Sequence, residues 1–386
     1  MAIKINPLHS HELLSSYIDN ATGGILHKKQ VSSLADSTLG IMSSASLAVA
    51  VIGHALAEAK GLKDRHAIKQ VGRLIGNKGI DVWELFEHWV LDTVGDLKSI
   101  VVAIDWTDFD ADGQATIAAY LVSSSGHSTP LIWLSMWKDE LKNQRNDLED
   151  VILKRLAEIL GNKVRVTIVA DRGFGDKKLF AFLVEIGFNF VIRFKGGTSV
   201  TASDGETRNA DQWVGQGGRA RKLRGAKVTA DLCEVGAVIC VKGKDMKEVW
   251  CLATNDKLAH AKEIIKTYAL RWKIEPEFRN VKDLHFGMGM SSIKISDPVR
   301  RDRHLFLSAL ACNLLTLLGA AGESLGMDRD LRSGTSKRRT HSIFRQGCLL
   351  FGLLQNMPET RFRPLMEKFS EMLRGSRVFM NVFATL

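Results

Sequence analysis

The 386-residue chain is poor in cysteine, and the five it has do not pair by spacing. Cys233, Cys240, Cys251, Cys312 and Cys348 form an odd set with no C-x-x-C step. That argues against a disulfide framework and a zinc ribbon, and fits a reducing cytoplasm. The opening MAIKINPLHSHELLSSY lacks the apolar core of a secretion signal. No internal repeat or low-complexity tract is evident. Charge-free apolar runs are also scarce: Leu305–Gly322, LFLSALACNLLTLLGAAG, is just long enough to weigh as a membrane span. Asn313 and the small residues within it suit a buried helix equally well, so it reads as a core or subunit-contact helix. Acidic excess is missing too. With 53 Lys+Arg against 43 Asp+Glu, the formal charge is +10, which favours polyanionic partners, nucleic acid the commonest.

What is present is long enough for two or three domains, and an apolar share of 45% is normal for a globular protein and speaks against disorder. Up to about residue 95 the pattern is helical, with turn signals such as GNKG at 76–79. The period then changes. SIVVAIDW (Ser99–Trp106), ATIAAYLV (Ala115–Val122) and PLIWLSM (Pro130–Met136) read as strands. A helix over Asn146–Leu160, a strand over Val164–Ala170, a helix over Asp176–Gly187 and a strand over Phe188–Phe194 follow. Strands separated by helices suggest parallel pairing. From about 195 to 255 the chain is Gly-rich, basic and β-like, and long helices then resume.

Three acids stand at telling places. Asp105 lies near the end of the first strand, Asp171 directly follows the fourth, in VADRGFGD, and Glu275 sits on a helix after the β-like region. If the first and fourth strands are neighbours, both aspartates emerge at one sheet edge, and a helix across that edge adds the glutamate. Three converging carboxylates repel one another, and divalent cations relieve the conflict. Oxygen ligands suit Mg²⁺ or Mn²⁺, and two such ions serve phosphodiester chemistry. Taken singly, each acid reads as well as a turn, cap or solvated residue. Asp108, Asp110 and Asp112 read as a hairpin turn, with a small calcium-like loop as the alternative, although the spacing and terminal Glu of an EF-hand are missing.

In YALRWKIEPEFRNVK, Tyr268, Arg271, Glu275 and Lys282 fall within about 60° of one another on an unbroken helix. Four polar side chains on one face point to something outside the helix that binds them. Pro276, directly after Glu275, removes a backbone donor there, so the stretch either kinks or begins a new turn.

These residues carry a resemblance. The strand order with Asp, Asp and Glu resembles the ribonuclease-H-like fold of DDE transposases. Tyr268-x2-Arg271-x3-Glu275-x6-Lys282 matches the Y-R-E-K signature of bacterial insertion-sequence transposases of the IS-four family, and DRGFGD is similar to their second-aspartate motif. The resemblance covers roughly residues 95–290. It implies an α/β fold: a ribonuclease-H-like mixed sheet with helices, interrupted by a β-rich insertion, between helical N- and C-terminal regions. The expected divisions are a helical DNA-binding domain at 1–95, the catalytic domain at 96–194 and 257–322, the insertion at 195–256 and a helical region with possible dimer contacts at 323–386.

By the same resemblance, Asp105, Asp171 and Glu275 hold two Mg²⁺ ions, with Mn²⁺ as substitute, while Tyr268, Arg271 and Lys282 grip phosphates. Trp250 corresponds to the tryptophan that stacks on a flipped base in hairpin-forming members; a core tryptophan in a strand is the other reading, and Trp213 is a second candidate. The basic clusters Arg219, Arg221, Lys222, Arg224 and Lys337, Arg338, Arg339 read as phosphate-binding surface or as solvated charge. The implied activity is cut-and-paste transposition through a hairpin end, by a homodimer acting on terminal inverted repeats and target DNA, in the bacterial cytoplasm and nucleoid and away from membranes. A nuclease of the same fold, and a transposase-derived DNA-binding protein without catalysis, are the alternatives.

Overall fold

Apolar runs in the middle third build one large sheet, and helices cover it. The computed structural model describes residues 7–122, 128–244, 246–284, 287–332, 334–335 and 339–374. Five helices come first: α1 (Pro7–Ala21), α2 (Lys28–Ser44), α3 (Val49–Lys60), α4 (Asp64–Ile75) and α5 (Val82–Val94). Three antiparallel strands follow, β1 (Ser99–Phe109), β2 (Gln114–Val122) and β3 (Ser128–Trp137). Helix α6 (Arg145–Leu160) leads to β4 (Arg165–Ala170), and α7 (Lys177–Glu185) to β5 (Asn189–Phe194). Strand β2 is buried along its whole length, which explains why its sequence shows no polar alternation.

The β-rich region contributes β6 (Ser199–Thr201), β7 (Thr207–Asn209), β8 (Arg221–Arg224), β9 (Lys227–Val228), β10 (Cys233–Glu234), β11 (Ala237–Val241) and β12 (Trp250–Thr254). It splits between two sheets. Strands β10, β9, β6 and β7 form a small sheet, whereas β12, β11 and β8 extend the main one, whose order is β3-β2-β1-β4-β5-β12-β11-β8. Pairing of β1, β4 and β5 is parallel. The mixed sheet with this order is the ribonuclease-H-like arrangement expected from the sequence.

The chain closes with α8 (Ala261–Ala269), α9 (Ile274–Lys282), α10 (Pro298–Ser324), α11 (Ile343–Leu353) and α12 (Glu359–Arg374). Among the described residues α10 alone is long and apolar enough by itself to cross a membrane, and 94% of its apolar window is buried inside the molecule. The apolar stretch Leu305–Gly322 is therefore core; little of it is left to face a partner subunit. Gly319 and Gly347 let α10 and α11 touch backbone to backbone: a Cβ on Gly347 would stand 1.8 Å from the Leu315 carbonyl oxygen, and one on Gly319 2.0 Å from that of Ile343.

The N-terminal helices share this core. Phe86 of α5 meets the Trp133 ring edge-on at 4.7 Å, and Trp89 meets Phe306 of α10 at 5.7 Å. The Trp89 indole N–H donates to the Pro130 carbonyl at 2.8 Å. All five cysteines are free thiols.

Candidate active site

Sheet register brings the two aspartates together. In the β1–β4 pairing Ser99 stands opposite Arg165 and Ala103 opposite Val169, each pair 66 positions apart. Carried two residues further, the same offset sets Asp105 opposite Asp171. There the chain leaves β4, and Asp171 turns to cap the next turn, its Oδ1 accepting from the Gly173 N–H at 2.7 Å. The Asp105 Oδ1 accepts from the Trp106 N–H at 2.9 Å.

The Y-R-E-K stretch does not form one helix. Helix α8 ends at Ala269, a 3₁₀ turn spans Leu270–Lys273, and α9 starts at Ile274. Pro276 is the reason: lacking an N–H, it is tolerated only in the first turn, so a new helix begins just before it. The shared face calculated for an unbroken helix is thereby corrected. Tyr268 and Glu275 belong to different helices, while Glu275 and Lys282 remain two turns apart on α9.

Helix α9 lies beside β1. Lys282 Nζ donates to the Asp108 carbonyl at 3.0 Å and sits 5.1 Å over the Phe109 ring; burial pulls its pKa down. Arg271, on the 3₁₀ turn, reaches both acids: Nη1 lies 3.6 Å from Asp105 Oδ2 and Nη2 3.7 Å from Glu275 Oε1. Its side chain is 8% exposed, against 26% for Asp105 and 54% for Glu275. These contacts are too long to use up the guanidinium, and its buried Nε has no hydrogen-bond partner.

Burial, then the charge of Asp171, push the Asp105 pKa up to about 6; Arg271 opposes the rise and Glu275 adds to it. Asp105 thus feels both of the other acids. Among the described residues no three acid, imidazole or thiol groups already converge at ligand distance. Still, the donor set fits a hard divalent cation: carboxylate oxygens, one with a raised pKa, and the Arg271 guanidinium as a counter-charge between two of them.

Other expected site residues lie elsewhere. Tyr268 is 1% exposed and packs edge-on against Trp250 at 4.8 Å, beside Arg271. Its hydroxyl is not presented to a phosphate in this arrangement, because a strand-end tryptophan covers it. Trp250 itself is half-buried at the start of β12. Trp213 is fully buried, donates to the Val200 carbonyl and lies between Arg208 and Arg221, each 4.9 Å from its ring, so it is a core residue and not a stacking platform. Lys222 is half-buried and tied down, donating to the carbonyls of Lys257 and Ala259. Arg219, Arg221 and Arg224 are exposed. The strand β8 that carries Arg221 and Arg224 is five strand spacings from β1, about 24 Å. Arg339 forms a forked pair with Glu323 at 2.7 and 2.9 Å, and Lys337 and Arg338 lie outside the described residues.

The acids after Asp105 close the β1–β2 hairpin. Lys138 pairs with Asp108 at 3.2 Å and with Asp110, while Asp112 binds Arg301 and the Ile295 N–H.

Sequence reasoning passed over three features near the site: an exposed tryptophan, an arginine pair and a buried glutamate. Trp272 is 44% exposed and carries the Arg271 guanidinium 4.5 Å over its ring. Arg172 and Arg193 share Glu248 at 2.9 and 2.7 Å beside Asp171. Glu149 accepts from the Trp106 indole at 2.8 Å, and burial raises its pKa to about 7. Trp272 was readable in the sequence, between two signature residues; the other two depend on pairing between distant elements.

Residues 96–314, more than half of the chain, match the family described as Transposase DDE domain. The chain belongs to that family. The match runs from just before β1 into α10, so the DDE domain takes in the three acids and the β-rich region alike. Chemistry in this family is metal-dependent and acts on DNA. No curated protein matches the chain.

Proposed function

We propose that the protein excises and inserts an insertion sequence by cut-and-paste transposition, with Asp105, Asp171 and Glu275 as the catalytic acids. The carrying observation is the β1–β4 register that sets Asp105 opposite Asp171, with Glu275 joined to Asp105 through Arg271. The three carboxylates would hold two Mg²⁺ ions, which when bound supply an activated oxygen nucleophile and stabilise the leaving oxygen. Arg271, with hydrogen-bonding capacity unspent, grips a phosphate next to the scissile bond. Lys282 adds positive charge at the end of β1. Tyr268 acts as a support that fixes Arg271 and Trp250, and not as a direct phosphate ligand.

Strand cleavage frees a 3′-hydroxyl, whose attack on the opposite strand forms a hairpin on the transposon end. Hydrolysis then opens the hairpin, and the same hydroxyl joins target DNA. The exposed aromatic next to the acids is Trp272, and it suits stacking on a displaced base better than half-buried Trp250. In this reading residues 1–95 hold the terminal repeats, Arg219, Arg221 and Arg224 hold flanking DNA, and two copies pair across the two ends.

The test is cleavage of a labelled duplex carrying the inverted repeat that flanks the gene, with Mg²⁺, comparing wild type and Glu275→Gln. Nicking and then a hairpin, both reduced at least about a thousandfold in the variant, are expected. Cleavage that survives the substitution removes Glu275 from the site. Nicking without joining of pre-cut ends would favour a plain nuclease.

A further inference from the structure

Between α2 and α4 lies a groove of about 560 Å³. Its lining includes Lys29 and Ser33 of α2, His66, Gln70 and Arg73 of α4, and Asn77 in the turn that follows. No acid lines it. The nearby carboxylate of Asp36 is buried and satisfied by Lys60 at 2.6 Å, Gln70 at 2.8 Å and His11 at 3.2 Å. Lys29, His66 and Arg73 have exposed side chains with no hydrogen bond or ion pair among the described residues.

The helices behind this groove have a particular form. Three residues, Gly61-Leu62-Lys63, join α3 to α4, with Gly61 at φ +64°. At Gly53 the two helices approach so closely that a Cβ would stand 2.6 Å from the Ile68 Cα. Helix α4 buries Ala67, Val71, Leu74 and Ile75, while His66 and Arg73 stand exposed on the flank of that apolar face, with half-buried Gln70 between them, where they line the groove. A helix pair joined by a short glycine turn, whose second helix shows forked donors on an acid-free face, is the form that enters the major groove of DNA.

We infer that α3 and α4 form a helix-turn-helix unit that reads the terminal repeat, with Arg73 recognising a guanine and Lys29 holding a neighbouring phosphate. This rests on the transposase reading, since it supplies the ends to be read. Arg73 has the fork that matches guanine O6 and N7, and Gln70 has the paired donor and acceptor that match adenine, although one of its N–H groups now serves Asp36. Lys29 is a point charge on the groove's other wall and carries no base information.

The experiment is binding of the full chain, without divalent metal, to a duplex bearing the flanking inverted repeat and to a scrambled duplex of the same composition. Wild type, Arg73→Ala, Arg73→Lys and Lys29→Ala are compared. Arg73 is exposed and unpaired, so neither of its variants disturbs folding. Both are expected to lose about 10- to 100-fold in preference for the repeat, and Arg73→Lys to keep its affinity for the scrambled duplex. Lys29→Ala should weaken both duplexes alike and lower the salt slope by about 1. A wild type that prefers the repeat, with both Arg73 variants preferring it equally, overturns the groove assignment and leaves the transposase reading standing. A wild type with no preference overturns the assignment and end recognition together, whereas cleavage tested through Glu275 stands or falls separately.

Discussion

The guanidinium of Arg271 lies 3.6 Å from the carboxylate of Asp105, within reach but beyond a good hydrogen bond. It also lies 3.7 Å from Glu275, so one cation bridges two of the three acids. Without divalent ions this is the principal relief of their mutual repulsion, and it is incomplete: the Asp105 pKa still stands at about 6.

Asp105→Asn should therefore stabilise the metal-free protein while abolishing cleavage. The carboxyl binds its proton more tightly in the folded chain than in the unfolded one. Its stabilising contribution is present below about pH 4, falls as pH rises, and has become a penalty above about pH 6. At pH 7.5 the variant should gain about 1–3 kcal/mol in urea denaturation. Mg²⁺ should stabilise wild type and have a smaller effect on the variant. Equal stability of the two proteins without metal would contradict this account.

Glu149 provides a second pH effect, one residue removed from Asp105 through Trp106. Buried against Trp106, its carboxyl titrates near 7 in place of the ordinary 4.5. The same sign applies: stability falls as pH rises through about 5 to 7. Glu149→Gln keeps an acceptor for the Trp106 indole and cannot ionise. Chemical denaturation at pH 5.5 and pH 8 should show a smaller loss in this variant than in wild type.

Trp272 and Trp250 should separate in opposite ways. Trp272→Ala is expected to leave thermal stability nearly unchanged and to weaken binding of an end with an unpaired base by about 1–3 kcal/mol of stacking. Trp250→Ala uncovers Tyr268 and should lower stability toward the lower end of the about 3–5 kcal/mol typical of buried Trp→Ala. If Trp250→Ala folds as well as wild type and alone loses the unpaired-base preference, the two roles are reversed.

Arg271→Ala should reduce cleavage more than DNA binding, because the side chain is nearly buried between acids and offers little to distant phosphates. Loss of its charge should raise the Asp105 pKa further, seen as a cleavage–pH profile displaced to higher pH. An unchanged profile would mean that Arg271 and Asp105 do not interact in solution.

Much of this site was legible in the sequence because it depends on local pattern. The strands carrying Asp105 and preceding Asp171 have strong apolar runs, and the helices between them fix parallel pairing. Pro276 signalled a boundary, but which residue began the new helix depended on packing beside β1. The burial of Tyr268 and Trp213, and the tethering of Lys222 to backbone carbonyls, were not legible. Tyr268 is covered by Trp250, Trp213 lies between Arg208 and Arg221, and Lys222 is tied to the carbonyls of Lys257 and Ala259; composition does not report such placements. The division of the β-rich region between two sheets was hidden for the same reason, since strand length alone does not choose a partner.

Phe86 against Trp133 and Trp89 against Phe306 weld the N-terminal helices to the sheet and to α10. The molecule is in this respect a ruler. If the N-terminal helices hold the duplex and Asp105 helps to cut it, as proposed, the reach between them is set by aromatic packing and not by a tether. Base pairs added between a recognised sequence and the cleavage point would then be read correctly and cut in the wrong place.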